Sequence, residues 1–319
     1  MNLIELAHQL RQSVGVSQKQ DIQTVAPSLS NSQILLGDDC AAIPDREGYL
    51  LLAAEGMWPL LVETEPWFAG WCSVLVNISD IYAMGGRPIA IVDALWGTSA
   101  TAAEPLWAGI VAAAKTYDVP IVGGHTNCHS PYNALSVAIL GRATDLITSF
   151  NAQPGDLLLV AIDLRGARHP KYPFWNASTE ADPTQLRTDL AILPQLAESG
   201  LCHAGKDISM GGIIGTSLML LEASNCGAVL DLDTIPSPPD IPIEEWLLFF
   251  PSYGFLLSVN PKNVAAVQKH FHDRDLACQV VGEVNSSCQL SLKSEADEVV
   301  FWDLSQKQFT GFSGLKNHR

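Results

Sequence analysis

Residues 66–95 read PWFAGWCSVLVNISDIYAMGGRPIAIVDAL, and the join inside this stretch decides the fold class. Pro66 suits the first turn of a helix, where its missing N–H is not needed. The apolar run from there to Met84 predicts a buried helix, closed by Gly85-Gly86. Pro88 to Leu95 follows as an apolar run of strand length. A helix handing over to a strand within so few residues means a mixed α and β protein (α/β or α+β), not an all-α or all-β one.

The same alternation continues on both sides. Tyr49 to Ala54 (YLLLAA) predicts a buried strand upstream, and Met1 to Arg11 (MNLIELAHQLR) an amphipathic helix in place of a signal peptide. Downstream come a helix near Ala102 to Tyr117, a short strand Val119 to Val122 and a strand Ala134 to Arg142. Asn151 to Asp156 (NAQPGD) is a turn-rich break, so the expected domains are 1–150 and 151–319. The second half opens with a strand Leu157 to Ile162 and a polar loop Arg165 to Asp182, whose basic and aromatic residues could face an anionic substrate. Helices are expected at Thr184 to Ser199, Gly212 to Glu222, Glu244 to Phe250 and Pro261 to His272. Strands are expected at Ala228 to Leu232, Gly254 to Val259, Cys278 to Val284, Gln289 to Leu292 and Val299 to Trp302.

The chain has 319 residues, 47% hydrophobic and only 16% charged, which supports a large core and favours an oligomer that covers residual apolar surface. Its formal net charge of −16 argues against nucleic acid or an anionic membrane as the main partner. No run reaches the roughly 18 apolar residues of a membrane span. The seven cysteines are odd in number and form no CxxC pair, as expected of reduced thiols in the cytoplasm. An acidic chain can still bind phosphate through a divalent cation held by its carboxylates.

Carboxylates do gather in short turn-like or element-end segments. Gly37-Asp38-Asp39-Cys40 precedes the first strand, and Ala54-Glu55-Gly56 follows it. Asn77 and Asp80 are three apart and so share a helix face. Asp80 also stands near the helix C-terminus, where the macrodipole disfavours an anion by roughly 0.3–1 kcal/mol and a cation would offset that cost. Lys206-Asp207-Ile208-Ser209-Met210-Gly211-Gly212 opens a helix, with Asp207 or Ser209 as its N-cap or as a ligand. Gly123-Gly124-His125-Thr126-Asn127-Cys128-His129 follows a strand. Its glycines would let backbone approach a phosphate, while His125, Cys128 and His129 offer a rival zinc reading. Gly200 to Asp207 imitates a P-loop but lacks Ser or Thr after Lys206 and follows a helix, so it is set aside.

In their order, GDDCA, AAEGM, VNISDIYAMGGRPIAIVDAL, IVGGHTN, NAQPGD and KDISMGGI resemble the ATP-binding superfamily of aminoimidazole ribonucleotide (AIR) synthase, selenophosphate synthetase, thiamine-monophosphate kinase and the hydrogenase-maturation dehydratase. The resemblance is nearest to the AIR synthase-related branch. It implies a two-domain PurM-like fold, a homodimer joined through N-terminal strands, and ATP with Mg²⁺ in a cleft near the dimer interface. Carried across by position, Asp38, Asp39, Glu55, Asp80 and Asp207 are the implied metal ligands. Gly37, Asn77, Gly123, Gly124, Thr126, Gly211 and Gly212 are the implied nucleotide contacts, and His125 and Asp38 the implied catalytic groups. His125 and Met210 stand where relatives carry acids, Glu55 stands for an Asp, and the reactive Cys or selenocysteine loop of selenophosphate synthetases is missing. The expected activity is ATP- and Mg²⁺-dependent phosphorylation or activation of a small molecule, as a kinase, synthetase or ligase. The alternative is a nucleotide- or ligand-binding protein without turnover.

Overall fold

A computed structural model describes residues 2–25 and 34–312. In chain order the first elements are α1 (Leu3–Gln12), α2 (Val14–Lys19), β1 (Ala41–Asp45), β2 (Gly48–Gly56), α3 (Pro59–Thr64), α4 (Pro66–Ala83), β3 (Arg87–Trp96), α5 (Ala100–Tyr117), β4 (Ile121–Asn127) and β5 (Ala134–Ala143). There follow β6 (Leu157–Ile162), β7 (Ala167–Arg168), β8 (Trp175–Asn176), α6 (Pro183–Leu190), α7 (Ile192–Glu198), β9 (Ala204–Asp207), α8 (Gly212–Ser224) and β10 (Gly227–Asp231). The chain ends through α9 (Ile243–Trp246), β11 (Gly254–Val259), α10 (Val264–His272), β12 (Ala277–Asn285), β13 (Gln289–Ser294) and β14 (Asp297–Asp303). Met1, the expected first residue of the opening helix, lies outside the described residues.

Packing divides the chain into two compact units. The smaller comprises Cys40–Asp145 and Thr179–Pro194. Its five-stranded sheet runs β1-β2-β5-β3-β4, antiparallel except for the parallel pair β3–β4. Helix α4 packs on β2, β3 and β5, and α5 packs on α4. These helices meet backbone to backbone. A Cβ on Gly70 would lie 2.0 Å from the Leu106 carbonyl oxygen, and one on Gly109 would lie 2.0 Å from that of Trp67. Only glycine allows that approach. Leu51, Val137, Ile139, Ile91 and Leu95 bury on the helix side of the sheet.

The larger unit comprises Met1–Asp39, Leu146–Ser178 and Gln195–Arg319. Its seven-stranded sheet runs β14-β13-β10-β12-β6-β11-β9. Helix α8 is mostly apolar and is buried from Gly212 to Ala223, as expected of a helix enclosed in a core. Its Ile213, Ile214, Leu218 and Leu221 share one cluster with Val160, Leu256, Leu290 and Trp246. Leu3, Leu6, Ala7 and Leu10 of α1 join that cluster, which confirms the amphipathic reading of the first segment.

Four local expectations need correction. The segment Gly123–Asn127 is not a loop after a strand; it is the strand β4 itself, paired along β3. The predicted helix Thr184–Ser199 is two helices, α6 and α7, because Pro194 has no N–H to offer the carbonyl four residues back. The helix expected at Glu244–Phe250 is a single turn, α9. Within the loop Arg165–Asp182, β7 and β8 form a short antiparallel ladder, and its cations are engaged: Arg165 pairs with Asp163 at 2.7 Å and Arg168 with Glu245 at 2.7 Å.

Candidate functional site

In the larger unit the two acidic motifs that lie far apart in sequence meet around one lysine. Strand β9 carries Lys206 and Asp207, both buried, and pairs with β11 through Lys206↔Leu256 and Asp207↔Phe255. The Lys206 ammonium donates to Asp39 Oδ1, and both side chains are only 5% exposed. The Asp207 backbone N–H donates to the other Asp39 oxygen at 3.2 Å. Asp38 accepts from the Ser149 N–H at 2.8 Å and from the Ser149 hydroxyl at 2.6 Å, which pins the loop. Ser252 Oγ donates to Asp207 Oδ2 at 3.3 Å, and Thr216 Oγ1 donates to the Asp207 carbonyl at 3.2 Å.

Charge and burial oppose each other here. Burial pushes the Asp38 carboxyl up to about 6; Lys206 pulls it back, Asp39 adds to the rise, and the Ser149 hydrogen bonds again oppose it. Burial works against the Lys206 ammonium too, but Asp39, Asp38 and Asp207 outweigh it and hold the group above its ordinary range. The donor set suits Mg²⁺: it consists of hard carboxylate oxygens, and each keeps a lone pair beyond the hydrogen bonds just described.

The helix-opening motif is arranged differently from the expectation. Asp207 ends β9, and the N-cap of α8 is Gly211, with φ of +94° and no capping side chain, so neither Asp207 nor Ser209 caps. Gly212 also has positive φ, at +62°. Against these glycines packs α2, since a Cβ on Gly15 would lie 2.8 Å from the Gly211 nitrogen and 3.5 Å from Met210 Cγ. Lys19 donates to Ser209 Oγ at 3.2 Å. Gly37, at φ of +103°, sits against Phe312, whose Cβ would be 2.5 Å from an added Cβ.

In the smaller unit, Asp80 is 7% exposed in the last turn of α4. Asn77 is fully buried and donates to the carbonyls of Ser73 at 2.8 Å and Val137 at 3.1 Å, bracing α4 against β5. Glu55 is exposed near the end of β2. Gly123, Gly124, His125 and Thr126 follow one another along β4 and are exposed. Thr126 lines a cavity of about 500 Å³ with Leu95, Thr101, Glu104, Trp107 and Cys128. His125, Cys128 and His129 do not converge as a three-ligand set among the described residues, so the zinc reading has no geometric support.

Three participants escaped the sequence reading. Lys206 reads in sequence as part of a false P-loop and of a helix opening, whereas it stands in strand β9 beside Asp207. Ser149 has no sequence signal at all. Asp93, 8% exposed on β3, lies under β4: a Cβ on Gly124 would fall 2.1 Å from Asp93 Oδ1. Burial raises the Asp93 carboxyl above its ordinary range.

Two mixed sheets, each with its own core, define a two-domain α+β protein of the PurM-like fold. Residues 37–143 match the N-terminal domain, and residues 153–295 the C-terminal domain, of AIR synthase related proteins. The chain belongs to the AIR synthase-related family. It is 54% identical to an uncharacterised protein of Synechocystis sp., over 98% of this chain and 99% of that one. It is 31% identical to the thiamine-monophosphate kinase of Pyrococcus horikoshii, over 63% of this chain and 67% of that one. Among solved structures it resembles Thermotoga maritima PurL complexed with ADP, with TM-score 0.74, 19% identity and 95% of this chain covered. The chain spans about half of that PurL chain, 52%.

Proposed function

We propose that this protein is an ATP- and Mg²⁺-dependent enzyme that phosphorylates or activates a small-molecule acceptor. The observation that carries the reading is that Asp39 and Asp207, 168 residues apart in sequence, bring carboxylate oxygens within 4.8 Å of each other, with Asp38 next to them. Phosphoryl transfer depends mostly on positioning and charge neutralisation, which a carboxylate-held magnesium supplies. When bound, Mg²⁺ would be held by Asp39 and Asp207, with Asp38 beside them, and would neutralise phosphate charge. Ser149 keeps Asp38 oriented, Lys206 keeps Asp39 oriented, and Ser252 holds one oxygen of Asp207. Asp80 and Glu55 are the carboxylates that the smaller unit offers for the same chemistry, and His125 on β4 is its acid–base or phosphate-contacting group.

The expected division is residues 1–150 for nucleotide and metal and 151–319 as the AIR synthase-like domain, although Met1–Asp39 packs in the larger unit and Asp207, from the second part, joins Asp39 in holding the metal. The protein is expected to work as a homodimer, in the cytoplasm as its unpaired cysteines suggest. Among the described residues no helix is long and apolar enough to cross a membrane. The test is calorimetry with a non-hydrolysable ATP analogue and Mg²⁺. Asp39→Asn and Asp207→Asn should each weaken binding at least about tenfold, the loss of one charged contact. Undiminished affinity in both variants overturns the reading. Met210, packed near Gly15 of α2 where the family resemblance implies an acid, supports the second reading: nucleotide binding without turnover. Analogue binding with no ADP release across a broad metabolite panel would select it.

A further inference from the structure

A buried set of carboxylates needs a cation, and this chain brings its own. Asp38, Asp39 and Asp207 all act on the Lys206 ammonium, and Asp39 is in direct contact with it. Lys206 comes from a strand interior, so it has no freedom to swing into solvent as a surface lysine would: its whole side chain is 5% exposed. Its partner oxygen, Asp39 Oδ1, belongs to the same carboxylate whose other oxygen is tied to the Asp207 N–H. A metal approaching Asp39 therefore meets an oxygen already bound to a fixed positive charge. Two like charges that share one carboxylate in an enclosed place repel strongly, because the low local dielectric magnifies the interaction.

We propose that Lys206 is a resident counter-cation that competes with the divalent ion at Asp39, and so sets how tightly and in what number divalent ions bind these carboxylates. This rests on the metal reading above. It makes Lys206 a positioning residue, one that acts on the metal through Asp39.

The experiment uses the full chain stripped with a chelator and titrated with Mn²⁺ alone, read by electron paramagnetic resonance and by thermal unfolding. Lys206→Met and Lys206→Gln are measured in parallel, with Lys206→Arg as the variant that keeps the charge. The neutral variants should bind Mn²⁺ at least tenfold more tightly than the wild type, or take up an additional ion, and Lys206→Arg should match the wild type. Their melting temperatures should be low without metal and should rise with Mn²⁺ by much more than the wild type's does. A neutral variant that folds only with Mn²⁺ supports the proposal as well. If a folded neutral variant binds Mn²⁺ no better than a wild type that does bind it, the proposal fails and the metal reading stands. If neither the wild type nor the variants bind Mn²⁺ at millimolar concentration, the metal reading itself fails. If both neutral variants stay unfolded even with Mn²⁺, the ammonium is structural and the proposal is again overturned.

Discussion

Asp93 and Gly124 share one small volume between β3 and β4, and the glycine exists there because the carboxylate does. Alanine at 124 would drive a methyl to 2.1 Å from Asp93 Oδ1 and 2.9 Å from the Asp93 carbonyl oxygen. Gly124→Ala should destabilise the protein by about 1–3 kcal/mol, the cost of overpacking. Asp93→Ala should recover part of that loss in the double variant, measured by urea unfolding; fully additive losses would refute the shared-volume account. Asp93 also predicts a pH dependence. Its folded pKa is raised by burial, so above its ordinary value of 3.8 the native state holds more protons than the unfolded chain. Its contribution to stability therefore falls as pH rises through the folded pKa. Asp93→Asn should thus gain on the wild type in melting temperature between pH 4 and pH 8. A constant difference across that range would show that Asp93 does not titrate differently on folding. At this scale the sequence was partly legible: the glycine pair announced close approach, but not that Asp93 fills the space beside Gly124.

Helix α8 shows what a single element conceals from its own sequence. Residues 212–224 read GIIGTSLMLLEAS, which predicts a buried helix and gives no purpose for Glu222. Glu222 is 4% exposed and accepts from the N–H groups of Phe309 and Thr310 at 2.7 Å each, from that of Gly311 at 3.2 Å, and from the Thr310 hydroxyl at 2.5 Å. It fastens a segment 87 residues away, with Phe309 sealed in the core. Glu222→Ala should cost about 3 kcal/mol, since it strands buried donors as well as removing charged hydrogen bonds. Hydrogen exchange should show the loss concentrated at residues 309–311; uniform loosening would point to a packing effect in α8 instead. Elements set by local periodicity, such as α4, α5 and α8, could be read from sequence. The Gly123–Asn127 part of β4 could not, because GGHTN carries turn residues and takes strand form only through its pairing with β3. Long-range ties such as Glu222 or Asp38–Ser149 leave no local pattern.

At the scale of the molecule, composition predicted both a cation requirement and an unfinished surface. With a net charge of −16, free ATP should be repelled, so chelation should weaken analogue binding by roughly 100-fold or more, checked by calorimetry with and without Mg²⁺. The surface question concerns the five-stranded sheet. Helix α4 packs on one side, where Leu51, Ile91 and Ile139 are buried. The alternating residues form an apolar band on the other side: Leu52 pairs with Leu140, and Ala54 with Ala138, which pairs in turn with Val92. Leu52 is 46% exposed, Val92 41% and Leu140 36%. Monomers seldom leave such a face to water, and the polar residues of the same alternation on β5, Ser136 and Arg142, stand at the two ends of the band. A second copy of the chain, meeting the first through this same face about a two-fold axis, is the simplest cover. Leu140→Glu would set a carboxylate in the middle of that face and bring two like charges together at the axis. The wild type should sediment as a dimer, and the variant should dissociate with an affinity loss of roughly 100-fold, in the range of a central interface residue. An unchanged dimer in Leu140→Glu would move the interface elsewhere, and a monomeric wild type would leave the band exposed in solution.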